Sequence, residues 1–283
     1  ESELPQLDSL GNPIAVVDPS GNSLVMWKGR DKKNSQELFI QKLTKNGLRL
    51  WQNEGIQLTD NKFEKIDFAL RVDKRGYSYI SFICKSPAAS NKYSVRYQIL
   101  TPNGKVLSDS LKGIMFSSNN SMSEAEIIPD NKGGSTIFWL QNQNKKTVLF
   151  CQFIDSTGSK RWGKNPIAIS KSNASVINYS IGKLGKGIYA AITYQGSTKI
   201  IYQQLISDKG KLLWGADGKL LTYQKGSQTN PQFAFVDSSV VVSWTNEFDK
   251  LKEVFIQRFN ISGNRLWGNN GKRIINITGN QFG

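Results

Sequence analysis

The 283-residue chain contains no histidine. This removes the commonest general base, the imidazole metal ligand and the Ser-His-Asp triad. Cysteine is scarce as well: Cys84 and Cys151 are the only two, too few for a four-cysteine zinc site. Both fall in apolar, strand-like runs, so the expectation is two buried free thiols, with a single disulfide as the alternative. Acidic residues are outnumbered, 22 against 37 basic ones, for a net charge of +15. No stretch approaches the roughly 18 apolar residues of a membrane-spanning helix. The opening Glu1-Ser2-Glu3-Leu4-Pro5 is polar, and no signal peptide is expected in it.

What the chain does have is a repeated phrase. Gln41, Gln98, Gln152, Gln204 and Gln257 are each followed six residues later by Gly47, Gly104, Gly158, Gly210 and Gly263. Four residues further on stand Trp51, Ser108, Trp162, Trp214 and Trp267. The Gln-to-Gln spacings are 57, 54, 52 and 53 residues. A period near fifty marks a repeat architecture whose units bury their faces against one another.

Each repeat holds short runs of β-branched and aromatic residues between turn signals. In the first, residues 13–17, 23–27, 37–43 and 55–59 read as strands separated by Asp18-Pro19-Ser20-Gly21-Asn22, a polar loop and Thr44-Lys45-Asn46-Gly47. Trp27, Phe82, Trp139 and Trp244 recur at one place in the second strand. Four antiparallel strands per unit make a propeller blade. The predicted fold is therefore all-β: a five-bladed β-propeller forming one domain over 1–283, with blades near 10–62, 63–119, 120–172, 173–225 and 226–277. Closure is open. Leu4 to Leu10 could supply a closing strand, blade packing alone could close the ring, or the chain could be part of a longer array, since the tail from Ile277 to Gln281 echoes Gln228 to Gln232.

The fullest copies run from Tyr202-Gln203-Gln204 through Gly210-Lys211-Leu212-Leu213-Trp214-Gly215 to Gly218, and from Phe255-Ile256-Gln257 through Gly263-Asn264-Arg265-Leu266-Trp267-Gly268 to Gly271. This unit resembles the repeats of bacterial secreted and cell-surface β-propeller proteins. More distantly it resembles the tryptophan-docking repeats of quinoprotein-type propellers. Ser108-Asp109 in the second copy and Pro166 in the third depart from the pattern. The resemblance implies a propeller exported from a bacterium, in the periplasm, at the cell surface or secreted. It is nearly silent about ligand.

The motif residues read as framework. An indole is a large apolar anchor between blades, glycine admits positive φ, and a glutamine amide can satisfy backbone groups. Carboxylates for glycoside hydrolysis are present at Asp67, Glu124, Glu126, Asp237 and Glu247, without evident recurrence. The loops after the second strands are rich in cations: Lys28, Arg30, Lys32, Lys33, Lys85, Lys92, Lys145, Lys146, Lys199, Lys250 and Lys252. On a propeller these loops share one face, giving a basic crown for an anionic partner. The resulting expectation is a monomeric, non-enzymatic propeller without cofactor or metal. It would bind a protein or an anionic glycan, ahead of nucleic acid. A five-bladed glycoside hydrolase or a repeat lectin is the alternative.

Overall fold

The structure is a computed structural model that describes residues 13–31, 35–59, 63–87, 92–107, 114–170 and 173–274. Five antiparallel sheets of four strands follow one another along the chain. The first holds β1 (Ile14–Val17), β2 (Ser23–Arg30), β3 (Gln36–Leu43) and β4 (Ile56–Gln57). The second holds β5 (Glu64–Val72), β6 (Ser78–Lys85), β7 (Tyr93–Leu100) and β8 (Ile114–Ser118). The third holds β9 (Met122–Pro129), β10 (Ser135–Gln143), β11 (Lys146–Ile154) and β12 (Ile167–Ala168). The fourth holds β13 (Ser175–Leu184), β14 (Gly187–Gln195), β15 (Ile200–Ile206) and β16 (Lys219–Leu220). The fifth holds β17 (Ser227–Val236), β18 (Ser239–Phe248), β19 (Leu251–Asn260) and β20 (Lys272–Arg273). The fold is a five-bladed β-propeller of four-stranded blades.

Two compact units divide the chain: 1–142 with 151–166, and 143–150 with 167–283. In the first, Leu24, Met26, Leu38, Ile40, Leu70, Ile80 and Phe82 form a buried core between sheets. The second is aromatic at its centre. Tyr189 lies edge-on to Phe233, Phe235 and Trp214, with ring centroids 5.0, 6.0 and 6.0 Å away. Buried Cys84 and Cys151 are free thiols. Burial pushes the Cys84 thiol up to about 11, and pushes that of Cys151 up as well. The segments proposed for closure, Leu4 to Leu10 and Ile277 to Gln281, lie outside the described residues.

The repeated glutamine is a clamp on the hairpin that leads into the fourth strand. In the fourth blade the Trp214 and Leu205 amides donate to Gln204 Oε1 at 3.1 and 3.0 Å, while Gln204 Nε2 donates to the Gly215 carbonyl at 2.7 Å. Gln41, Gln152 and Gln257 hold the amides of Trp51, Trp162 and Trp267 in the same way, at 3.1, 3.2 and 3.0 Å. Gln98 differs. Its Nε2 donates to the Leu58 carbonyl of the preceding blade at 2.7 Å, and its buried Oε1 has no partner among the described residues. Ser108, which stands where the other copies have tryptophan, lies outside those residues.

Tryptophan and glycine meet between neighbouring blades. Trp51 packs over Gly104, where an added Cβ would come within 3.2 Å of the indole and 2.6 Å of Ile56. Trp214 covers Gly263 so closely that a Cβ would meet the ring at 2.9 Å, and its Nε1 donates to the Ile261 carbonyl at 3.0 Å. Both glycines also have φ near +80°. Here the glycine serves close approach as well as the turn. Trp162 is half-buried and leans on Phe153 of its own blade, centroids 5.9 Å apart.

Candidate active site

The first strands of four blades carry an extra residue near their start. The ladder slips between Lys65 and Asp67 in β5, opposite Trp139 in β9, between Val176 and Asn178 in β13, and between Thr229 and Gln232 in β17. A bulge of this kind leaves a residue unpaired and re-aims its side chain. In β9 the bulge includes Glu124, and in β17 Asn230; both have left-handed backbones, φ +53° and +54°. A glutamate held in that conformation is strained.

In the first unit the bulges bring acids together. β5 packs against β9. Asp67 and Glu124 occupy matching places, each six residues before the aspartate of the next hairpin turn, Asp73 and Asp130. Those turn aspartates cap their loops: Asp73 Oδ1 accepts from the Arg75 and Tyr77 amides, and Asp130 Oδ1 from the Lys132 and Gly134 amides. The recurrence of acids at this place is visible only once positions are counted from the turn.

Burial pushes the half-buried Glu124 carboxyl above the ordinary glutamate value, and the charges of Asp67 and Glu126 push it further. Glu126 is also raised, chiefly by burial, although Arg71 Nη2 lies 2.7 Å from its Oε2 and opposes the shift. Asp67 Oδ1 accepts from the Phe68 amide at 2.8 Å. The charge of Asp67 thus reaches both glutamates. Yet among the described residues no three acidic or cysteine side chains close into a metal-binding group. Two carboxylates on adjacent strands are the kind of pair that glycoside hydrolysis uses.

The other two acids are elsewhere. Asp237 sits in the β17–β18 turn with φ +53°, and Glu247 is exposed on β18 opposite Lys252. In the second unit the bulges present Asn178 and Asn230, both exposed.

The basic crown needs one correction. Lys28 is not a loop cation. It lies in β2, 6% exposed, and its Nζ donates to the Ile66 carbonyl at 3.4 Å, 5.9 Å from the Phe68 ring centroid. Burial of its stem between two sheets draws it inward. Lys85, partly exposed, ends β6 over Tyr93, 5.8 Å from its ring centroid. Arg30 and Lys92 are exposed in the first unit, and Lys145, Lys146, Lys250 and Lys252 in the second, with Lys199 half-buried. Lys32 and Lys33 lie outside the described residues. In the first unit Glu64, at the start of β5, pairs with Lys85, at the end of β6. The Asp67 bulge therefore lies toward the end of the blade that carries the cationic loop.

No protein-family model and no curated protein matches the sequence. Solved structures do share the fold. A polysaccharide lyase, Uly1, superposes with TM-score 0.58 at 11% identity, over 88% of this chain and 58% of its own. The α-L-arabinofuranosidase Arb93A of Fusarium graminearum gives 0.53 at 12%, over 89% of each chain. A puromycin-hydrolysing peptidase of Mycobacterium tuberculosis gives 0.52 at 12%, over 93% of this chain and 38% of its own. The chain thus spans little more than half of the lyase and well under half of the peptidase. These structures overturn the expectation of a non-enzymatic chain: proteins that share its fold are enzymes, two of them acting on carbohydrate.

Proposed function

We propose that the chain is a carbohydrate-active enzyme that hydrolyses glycosidic bonds in an anionic polysaccharide outside the cytoplasm. The observation that carries this reading is that Asp67 and Glu124 stand at matching places, counted from the next turn, in the bulged starts of adjacent first strands, with Glu124 held toward its protonated form. A carboxyl whose hold on its proton is raised can donate that proton to a departing sugar oxygen. In this reading Glu124 is the general acid. Asp67 takes a proton from the attacking water or attacks the anomeric carbon itself; the separation of the pair decides which. Glu126, tied to Arg71, tunes the charge around Glu124.

Substrate charge follows from the surface. With a net charge of +15 and exposed Arg30 and Lys92 toward the Asp67 end of their unit, the protein attracts polyanions. Lys85, Lys145, Lys146, Lys199, Lys250 and Lys252 would extend this attraction if the chain forms one propeller domain, acting as a monomer. The repeat likeness to exported bacterial propellers supports an extracytoplasmic setting. Hydrolysis is preferred to elimination because the candidate groups are two carboxylates, the set that glycoside hydrolysis uses.

The test is a panel of acidic and neutral polysaccharides incubated with the protein. Hydrolysis predicts new reducing ends on an acidic polymer, without the ultraviolet absorbance of unsaturated uronate products, and their loss in Asp67→Asn. Unsaturated products, or undiminished release by Asp67→Asn, would overturn the reading.

A further inference from the structure

The segment that carries Asp67 is tied to the preceding blade by two buried lysines. Lys65, two residues before Asp67, is fully buried. Its Nζ lies 2.6 Å from Glu37 Oε2 and donates to the Gln36 carbonyl at 2.8 Å, with both ion-pair side chains at most 1% exposed. Glu37 also accepts from Thr59 Oγ1, whose oxygen in turn accepts from the Leu38 amide at 3.0 Å. Lys28 forms the second tie, donating to the carbonyl of Ile66, the extra residue of the bulge. The residues at one and two places before Asp67 are thus each fixed by an ammonium group or to a carboxylate of the first blade.

Stability alone accounts poorly for this arrangement. Removing two charges from water costs several kcal/mol per ion, and well-packed apolar residues in place of a buried pair are often neutral or stabilising. Nearby positions of the same core are filled by Leu38, Ile40, Leu70 and Ile80. What the ion pair adds is direction: it fixes one register of the bulge and so one orientation of Asp67.

We propose that Glu37, Lys65 and Lys28 are positioning residues that hold Asp67 against Glu124. The proposal rests on the acid–base reading of that pair and deepens it. Its consequence is electrostatic. If the ties set the Asp67–Glu124 separation, loosening them must weaken the coupling through which Asp67 raises the Glu124 carboxyl.

The experiment is a cycle read on the free protein by ¹³C NMR, following the Glu124 carboxyl as pH is varied. The charge-neutral pair Glu37→Leu with Lys65→Met removes the tie without changing net charge. Asp67→Asn is expected to lower the Glu124 midpoint in the wild-type background, and to lower it by less than half as much in the Glu37→Leu/Lys65→Met background. An equal drop in both backgrounds overturns the positioning role and leaves the acid–base reading standing. No drop in either overturns both. If the double variant does not fold, Lys28→Met cuts the second tie alone and is read by the same criterion.

Discussion

The first strands of the two units share a device and differ in what it carries. In the first unit the bulges present Asp67 and Glu124; in the second they present Asn178 and Asn230. Glu124 and Asn230 even share the left-handed backbone. An asparagine tolerates that conformation at little cost, because its short amide can bond locally. A glutamate lacks that compensation, so its presence there calls for another reason. The bulge belongs to the repeat, and the acids belong to the site.

The contrast can be broken most sharply by exchanging side chains. Glu124→Gln should cut hydrolysis of the acidic polymer by about 10²–10⁴-fold, the usual worth of a general acid. Asn178→Ala and Asn230→Ala should leave kcat within about tenfold, since uncharged amides contribute binding rather than proton transfer. Steady-state rates on one polymer decide it. Equal losses in all three variants would place the chemistry in the repeated framework.

A second contrast lies within the framework. Gln204→Ala and Gln257→Ala each remove three hydrogen bonds and leave buried amides unpaired, so each should cost roughly 2–4 kcal/mol. Among the described residues Gln98→Ala removes one bond, to Leu58, and an oxygen without a partner there, and should cost roughly 1–2 kcal/mol. Denaturant titration of the three variants measures the order.

An effect of the same order concerns Lys42. Burial alone would raise the Asp18 carboxyl, but hydrogen bonds and charge from Lys42, with bonds from Asn22, bring it down to about 2. A carboxyl lowered in the folded state stabilises above its unfolded value and loses that contribution as pH falls through the folded one. Lys42→Met should therefore cost about 1–2 kcal/mol at neutral pH, with the deficit shrinking as pH approaches 2. Lys42 also donates to the Pro102 carbonyl at 3.2 Å, so a residual deficit at low pH reports that bond.

The blades were legible in the sequence because their signals are local: a turn, a glycine with positive φ, an alternating strand, a glutamine at a constant distance from a tryptophan. The site was legible only as an inventory. Asp67, Glu124 and Glu126 stood out as acids, but an extra residue in a strand has no composition of its own. Counting from Gln98 and Gln152 conceals the match that counting from Asp73 and Asp130 shows. Lys28 was misread for a related reason. Its position beside a cationic loop suggested solvent, whereas the eight-residue length of β2 keeps it within the sheet. The expectation of a non-enzymatic chain leaned on acids without evident recurrence, and the match between Asp67 and Glu124 lies on the strands rather than in the loops.

In the proposed reaction Glu124 is a proton donor whose affinity for its proton is raised by its neighbours. The pH–rate profile of Glu126→Gln decides this. Removing Glu126 takes away one of the charges that raise Glu124. The alkaline limb of activity should begin above the ordinary glutamate value in the wild type and move to lower pH in Glu126→Gln, with activity on the acid side retained. A limb that stays in place, or moves to higher pH, would contradict the assignment of Glu124 as the acid.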